Sequence, residues 1–526
     1  MSLVGAWTGR SARALQSALR LSNERFAKHL DVATRTVAAW HQKPDLIPKS
    51  ELQQALDAAL LEATEEVKAR FAELVEEYSG QSTSTPEDDS ATGEFEQRLA
   101  NDPDARSILE SLDKSAQWEP GTSRRKVAFR LARLSIGELE DRGARRGQVD
   151  QRQIAHLLTA YYAEKLSSYG TYTARYDDAA AATSILTRAD WLDLECSLTP
   201  DNDCLDLASG IVDRNIVFDE LNANLAVQRL AEMVTLGFRL VDTPLYRLME
   251  IDVRKGRVSG TLHLVPFLRY ALTMDLLESE LVDAVATDQT IQRGSLPLRD
   301  RLLPDLASVV DLPGRLCSGG ALALCAIARP ASGQRPADYV LLIQERSGRV
   351  LNAARRLAVI PKGFHEPLVD FRTDAQISST LKREMEEELF GRDDVDSAVA
   401  ELRSTDPMHP SRLSEPMRWL TDQAHRLRIE CTAFGLNLVS GNCEFASLIV
   451  IDDEEFWLRY GGQISANWES SSLRQYSSLD HDLIAELIGD VAWSNEGLFA
   501  LLQGLRRLTE IGGNRVDVPT IEWEIR

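Results

Sequence analysis

Residues 21–44, LSNERFAKHLDVATRTVAAWHQKP, decide how the N-terminus folds. Apolar residues fall where two short helices joined by a tight turn must bury them. Phe26, Ala27 and Leu30 share one face of a first helix, Val32 lies in the turn, and Val37 and Trp40 share one face of a second. So small a pair packs only if the residue at its crossing point is small, and Ala27 supplies that. The outward face of the second helix carries Thr34, Arg35, Thr36, Ala38, Ala39 and His41. That face is short and polar with one cation, which suits entry into a DNA major groove.

Charge supports this reading locally and opposes it globally. Residues 1–50 hold eight Lys/Arg and three acids, a net +5, whereas the whole chain carries −22, leaving −27 on the remainder. Such a body repels a phosphate backbone, so the basic head must be presented to DNA with the acidic bulk held away. One head of this size buries little DNA surface, so a homodimer reading two half-sites is the expected state.

These residues resemble the Cro/phage-repressor (XRE) type of helix-turn-helix. Asn23 stands where that family usually has a phosphate-contacting Gln. Asp31 replaces the usual turn Gly, and Asp tolerates a left-handed backbone better than most residues. Ala33 lacks the usual capping hydroxyl, which Thr34 can supply. The resemblance covers about the first 60 residues. It implies double-stranded DNA as the partner, with Thr34, Arg35, Thr36 and Ala39 at base edges and Asn23, Lys28 and Lys43 at phosphates.

The chain has 526 residues, and at roughly 150 per domain that suggests three or four domains. No apolar run reaches the roughly 18 residues of a membrane span, and the N-terminus lacks a signal-peptide core. A cytoplasmic protein with no membrane partner is expected. The six cysteines form no C-x-x-C pair and read as reduced thiols. Residues 50–79 follow an amphipathic helical pattern and complete a first domain, 1–79. The stretch 80–94, GQSTSTPEDDSATGE, reads as a flexible linker. A mostly helical middle, 95–314, follows. In it Arg124, Arg125, Lys126, Arg130 and Arg133 make one helix basic, for DNA, a phosphate ligand or salt bridges to the acidic body. Tyr161, Tyr162, Tyr169, Tyr172 and Tyr176 cluster, as a pocket rim or as packing.

From about 315 the texture changes to α/β. GGALALCAIARP, DYVLLIQERSGRV and RRLAVIPKGF read as strands. QISSTLKREMEEELFG is a helix with Ser378 or Ser379 as its cap, a hairpin turns at Ser440-Gly441-Asn442, and a last helix is capped by Ser494. Within the acidic helix Glu384, Glu387 and Glu388 are spaced i, i+3, i+4, so they share one face. Three such carboxylates suit a hard divalent cation such as Mg2+, which in turn suits a pyrophosphate. Taken by itself in so acidic a chain, the string is more simply read as a solvated helix face.

Strands, then Pro361-Lys362-Gly363, a loop and REMEEELFG resemble the Nudix hydrolase fold and its signature helix, over roughly 315–515. The family pattern places its Gly fourteen residues before the Arg-Glu pair, whereas Gly363 precedes Arg383 by 20, a loop six residues longer. The Glu expected within that loop is Ala375, beside Asp374, and the late Gly is Phe390. The metal-binding half is therefore present and the phosphate-shaping loop altered. The resemblance implies a C-terminal domain, 315–526, that senses a phosphorylated or nucleotide-like small molecule near Lys362, Gly363 and Arg383. Glu384, Glu387 and Glu388 would be its Mg2+ ligands. The alternative is a Mg2+-dependent pyrophosphohydrolase with Glu387 as candidate catalytic residue; the altered loop and the DNA-reading head favour the sensor.

Overall fold

The computed structural model describes residues 7–526 except 20, 22, 31, 34–35, 38–39, 41–45, 47, 65–66, 69, 72–85, 165, 209–217, 239, 241, 348–352, 354, 393–405, 465–466 and 468–469. The chain divides into two units, Met1–Ala91 and Thr92–Arg526.

The first unit is helical. Thr8 starts the helix Gly9–Ala18 through a reciprocal capping box with Ser11. The helices Asn23–His29 and Ser50–Glu62 follow. Trp7, Leu15, Phe26, Ala27, Leu30, Val37, Trp40, Leu56 and Phe71 form its core. Phe26 meets Trp40 edge-on, with ring centroids 6.4 Å apart. The pattern over 50–79 is interrupted at Ala63, whose extended backbone ends the helix; residues 72–79 lie outside the described residues. The expected linker is helical in its second half. Pro86–Asn101 is one helix, anchored by the buried Leu99 and by Phe95 against the same cluster. Residues 80–85 lie outside the described residues.

The second unit has fourteen strands among its described residues. They are β1 (Gly170–Tyr176), β2 (Ala179–Thr187), β3 (Cys196–Ser197), β4 (Asp203–Leu207), β5 (Pro244–Arg254), β6 (Arg257–Pro266) and β7 (Gly319–Arg329). After them come β8 (Asp338–Arg346), β9 (Leu357–Val359), β10 (Lys362–Phe364), β11 (Arg428–Asn437), β12 (Cys443–Ile451), β13 (Ser470–Ser477) and β14 (Ile521–Ile525). The main sheet runs β13-β8-β7-β12-β11-β2-β1-β14, with β9 on β8, β10 on β7 and β3 on β11. Its β12–β7 pair is parallel, as is β4–β6 in the separate three-stranded sheet β4-β6-β5.

Strand β7 shows why this sheet is the centre. Ala321, Ala323, Cys325 and Ile327 enter one core with Ile377, Leu381 and Met385 of the helix Ile377–Glu388. Leu322, Leu324, Ala326 and Ala328 enter the opposite core with Phe499, Leu502 and Leu505 of the helix Asn495–Ile511. Side chains alternate across a strand, so an unbroken apolar run means burial on both faces. The expected strands, the hairpin through Gly441 (φ +80°) and the Ser494 cap are all present.

The expectation of a mostly helical middle needs correction. Residues 95–161 are helical, but six strands lie between 170 and 266. β2 pairs β11 and β1 pairs β14, so the sheet draws strands from both sides of the expected boundary at 314/315. The run Ala179–Ala182 has low strand propensity by itself, and cross-strand pairing overrides it. The clustered tyrosines are packing. Tyr161 donates to Asp300 Oδ1 at 2.6 Å, Tyr162 donates to the Leu303 carbonyl at 2.9 Å, and Tyr172 stacks edge-on with Phe499. The basic helix Thr122–Leu131 places Arg124 against Glu96 at 3.3 Å and Lys126 over the Trp118 ring at 4.4 Å.

Candidate functional site

The helix Ile377–Glu388 is the centre of the candidate site, and its N-terminus is held from another sheet. Neither Ser378 nor Ser379 caps it; Gln376 is the N-cap residue and makes no side-chain cap bond. Instead Asp203 of β4 accepts the Ile377 N–H at 3.1 Å and the Ser378 N–H at 2.9 Å. A carboxylate at a helix N-terminus satisfies orphan donors and complements the helix dipole. Burial pushes the Asp203 carboxyl up from its usual range, and these bonds oppose the rise.

Two of the helix's glutamates hold neighbouring backbone and side chains. Arg383, buried, donates to Glu384 at 2.9 Å, to the Phe364 carbonyl at 3.1 Å and to the Glu366 carbonyl at 3.2 Å. Glu384 also lies directly over Gly363, where an added Cβ would come within 2.0 Å of its Oε1. Glu388 accepts the Lys362 N–H at 2.7 Å and receives Gln344 Nε2 at 3.4 Å. Glu387 is partly exposed beside them. Glu386, a fourth acid in the string, accepts the Ser414 N–H at 2.9 Å. Among the described residues no group of three or more His, Cys, Asp or Glu side chains is arranged to hold a metal ion. Glu384 is held by Arg383, and Glu388 ties the helix to β10 through the Lys362 N–H.

The Lys362 ammonium points into a polar cluster buried beneath the sheet. It pairs with Glu496, the second residue of the helix Asn495–Ile511. Asn437 Nδ2 bridges Glu496 at 3.2 Å and Glu444 at 3.0 Å, while Asn495 Nδ2 donates to Asn437 Oδ1 at 2.8 Å. Burial alone would raise Glu496, but the charge and hydrogen bond of Lys362 outweigh it and hold the carboxyl well below its usual range. Glu444 goes the other way: burial, and then repulsion from Glu496, push it well above the usual range. The cluster therefore sets the Lys362–Glu496 ion pair beside a carboxyl that burial biases toward its neutral form. Glu278 extends it, raised by burial and by Glu496, and accepts the Ala353 N–H at 3.0 Å.

Lys362, Gly363, Arg383, Glu384 and Glu388 are thus brought together as the sequence suggests. Glu444, Glu496, Glu278, Asn437 and Asp203 were missed. Glu444 carries a signal in hindsight, as the only charged residue in the apolar run CEFASLIVI.

In the first unit, Asn23 opens its helix, is exposed, and its Oδ1 accepts from Gln16 Nε2 at 2.8 Å. Lys28 is exposed in the last turn of that helix, and Thr36 is half-buried next to the buried Val37. Thr34, Arg35, Ala39 and Lys43 lie outside the described residues. No helix among the described residues is long and apolar enough to cross a membrane. The sequence matches no protein-family model and no curated protein.

Proposed function

We propose that this chain is a cytoplasmic, homodimeric transcription regulator. Its helix-turn-helix head binds double-stranded DNA, and its C-terminal α/β body is a Nudix-like sensor of a phosphorylated or nucleotide-like small molecule. The observation that carries the reading is the packed core of the head. Phe26, Ala27, Leu30, Val37 and Trp40 are all buried, as a helix pair that presents its remaining face outward requires. In this reading Thr34, Arg35, Thr36 and Ala39 meet base edges, and Asn23, Lys28 and Lys43 meet phosphates. Ligand and DNA are then coupled by a free energy of about 1–3 kcal/mol, felt equally by each.

The sensor is favoured over the pyrophosphohydrolase because Glu384 and Glu388 are occupied in holding Arg383 and β10. Sequencing the DNA fragments that co-purify with the protein tests the head: one enriched motif with two half-sites is expected, and unselected fragments would count against it. Incubation with nucleoside diphosphate derivatives and Mg2+ tests the body. Binding without turnover is expected, and product release abolished by Glu387→Gln would establish the hydrolase instead.

A further inference from the structure

Two cysteines, Cys317 and Cys443, meet where β7 and β12 begin. Both are buried, both are free thiols, and both enter the same core. The strands fix the meeting. β12 runs parallel to β7 with Cys443 opposite Gly319, and the Cys443 N–H donates to the Ser318 carbonyl at 3.0 Å. Gly319 leaves room for the sulfur: Cys443 Sγ lies 2.7 Å from where a Cβ on Gly319 would stand, and 3.6 Å from the Ser318 carbonyl oxygen. Cys317 is two residues before Gly319 and so shares its side of the chain. The two thiols hydrogen-bond one another.

A buried cation sets one sulfur apart. Arg315 is 7% exposed, and its Nε and Nη1 donate to the Val309 and Gly441 carbonyls, which carry no charge. Its Nη2 meets no acceptor oxygen among the described residues, and the guanidinium faces Cys317. A guanidinium is costly to bury without an anion. Glu444, next to Cys443, does not serve, because it engages Asn437 and burial biases it toward its neutral form. A Cys317 thiolate does serve. Arg247, whose Nε donates to the Arg315 carbonyl at 3.1 Å, adds a second positive charge. Burial would raise the Cys317 thiol, but the hydrogen bond with Cys443 and the charges of Arg315 and Arg247 outweigh it and bring it down to about 7. Burial, and then that hydrogen bond, push Cys443 well above the usual thiol range.

Nearness alone does not produce this asymmetry. Cys196 of β3 stands directly opposite Cys431 of β11, and both are buried. Their charged neighbour is an acid, Asp203; burial and that charge push Cys196 up to about 12, and Cys431 is also raised well above its usual range.

We propose that Cys317 and Cys443 form an oxidisable dithiol, a modification site at which a hydroperoxide converts the pair into a disulfide. The Cys317 thiolate attacks the terminal peroxide oxygen and the O–O bond breaks. Cys317 becomes a sulfenic acid, and the leaving alkoxide takes up the proton that Cys317 released on ionising. The Cys443 sulfur then attacks the Cys317 sulfur, and the displaced hydroxide leaves as water with the Cys443 proton. Two thiols and one hydroperoxide give one disulfide, one alcohol and one water; the sulfurs lose the two electrons that the peroxide gains. This site is independent of the ligand and the DNA proposed above.

A peptide map of the oxidised full chain tests it. Reduced protein is exposed to low-millimolar hydrogen peroxide, quenched with N-ethylmaleimide and digested, and the unreduced peptides are weighed by mass spectrometry. The Cys317 peptide should be joined to the Cys443 peptide in a bond that dithiothreitol reverses. Cys196 and Cys431, lacking a stabilised thiolate, should react at least about 10-fold more slowly. Cys443→Ser should leave Cys317 as a sulfenic acid that dimedone labels. The wild-type map stands whether or not that variant folds. Cys317 and Cys443 both recovered as maleimide adducts overturn the proposal. A Cys196–Cys431 disulfide formed as fast as the Cys317–Cys443 one overturns it too, since nearness rather than the thiolate would then be the cause.

Discussion

Replacing Lys362 by Met removes the only cation that, among the described residues, pairs with Glu496. The methionine keeps most of the volume, so the change is in charge. Glu496 would remain buried with one Asn437 contact, at 3.2 Å, and with Glu444 on the same amide. Removing one partner of a buried pair costs about 3–5 kcal/mol, because the remaining charge is uncompensated. The deficit should depend on pH. Glu496 is depressed in the folded protein, so its contribution is present above the unfolded value of ~4.3 and is lost as pH falls toward about 2. Lys362→Met deletes that contribution, so wild type and variant should differ most above about pH 5 and converge as pH drops. Urea unfolding of the larger unit, followed by circular dichroism from pH 3 to pH 7, reads this out. Lys362→Met/Glu496→Gln, which removes both charges, should recover most of the loss. A deficit under ~1 kcal/mol at pH 7, or one independent of pH, would refute the ion pair as the anchor of this cluster.

Three further outcomes follow from individual contacts. Gly363→Ala puts a Cβ 2.0 Å from Glu384 Oε1, so it should cost about 1–3 kcal/mol in unfolding free energy; a neutral effect would mean the glutamate is free to move. Asp203→Ala removes the cap from Ile377 and Ser378 and should cost about 0.5–2 kcal/mol, whereas Asp203→Asn, which keeps an acceptor, should cost less. Trp40→Ala should cost the N-terminal unit about 3–5 kcal/mol and leave the melting transition of residues 92–526 in place, as seen by calorimetry.

The parts legible in the sequence are those with one strong local period. β7 and β8 carry unbroken apolar runs, β11 and β12 flank the Ser440-Gly441-Asn442 turn, and the helix Asn495–Ile511 announces itself through Ser494. The core of the head is legible for the same reason, because Phe26, Val37 and Trp40 can only face inward. Strands β1 to β6 were hidden because their pattern depends on partners far along the chain. Ala180 to Ala182 form part of a strand only because Thr173 to Arg175 lie beside them. The candidate site divides similarly. Lys362, Arg383 and the glutamates lie close enough in sequence to be grouped. Glu444 and Glu496 are 82 and 134 residues from Lys362, and only the folded sheet brings them to it.

The most direct test of the DNA-binding account is a salt titration of operator affinity for wild type, Arg35→Ala and Lys43→Ala. Both positions lie outside the described residues, and their roles rest on the sequence pattern. The account predicts that Arg35→Ala loses about 1–3 kcal/mol on the selected site and much less on random DNA, with the salt slope barely changed. Lys43→Ala should weaken both DNAs alike and lower the slope by about one. Equal affinity of wild type and Arg35→Ala for the selected site at every salt concentration would contradict the claim that this helix reads DNA.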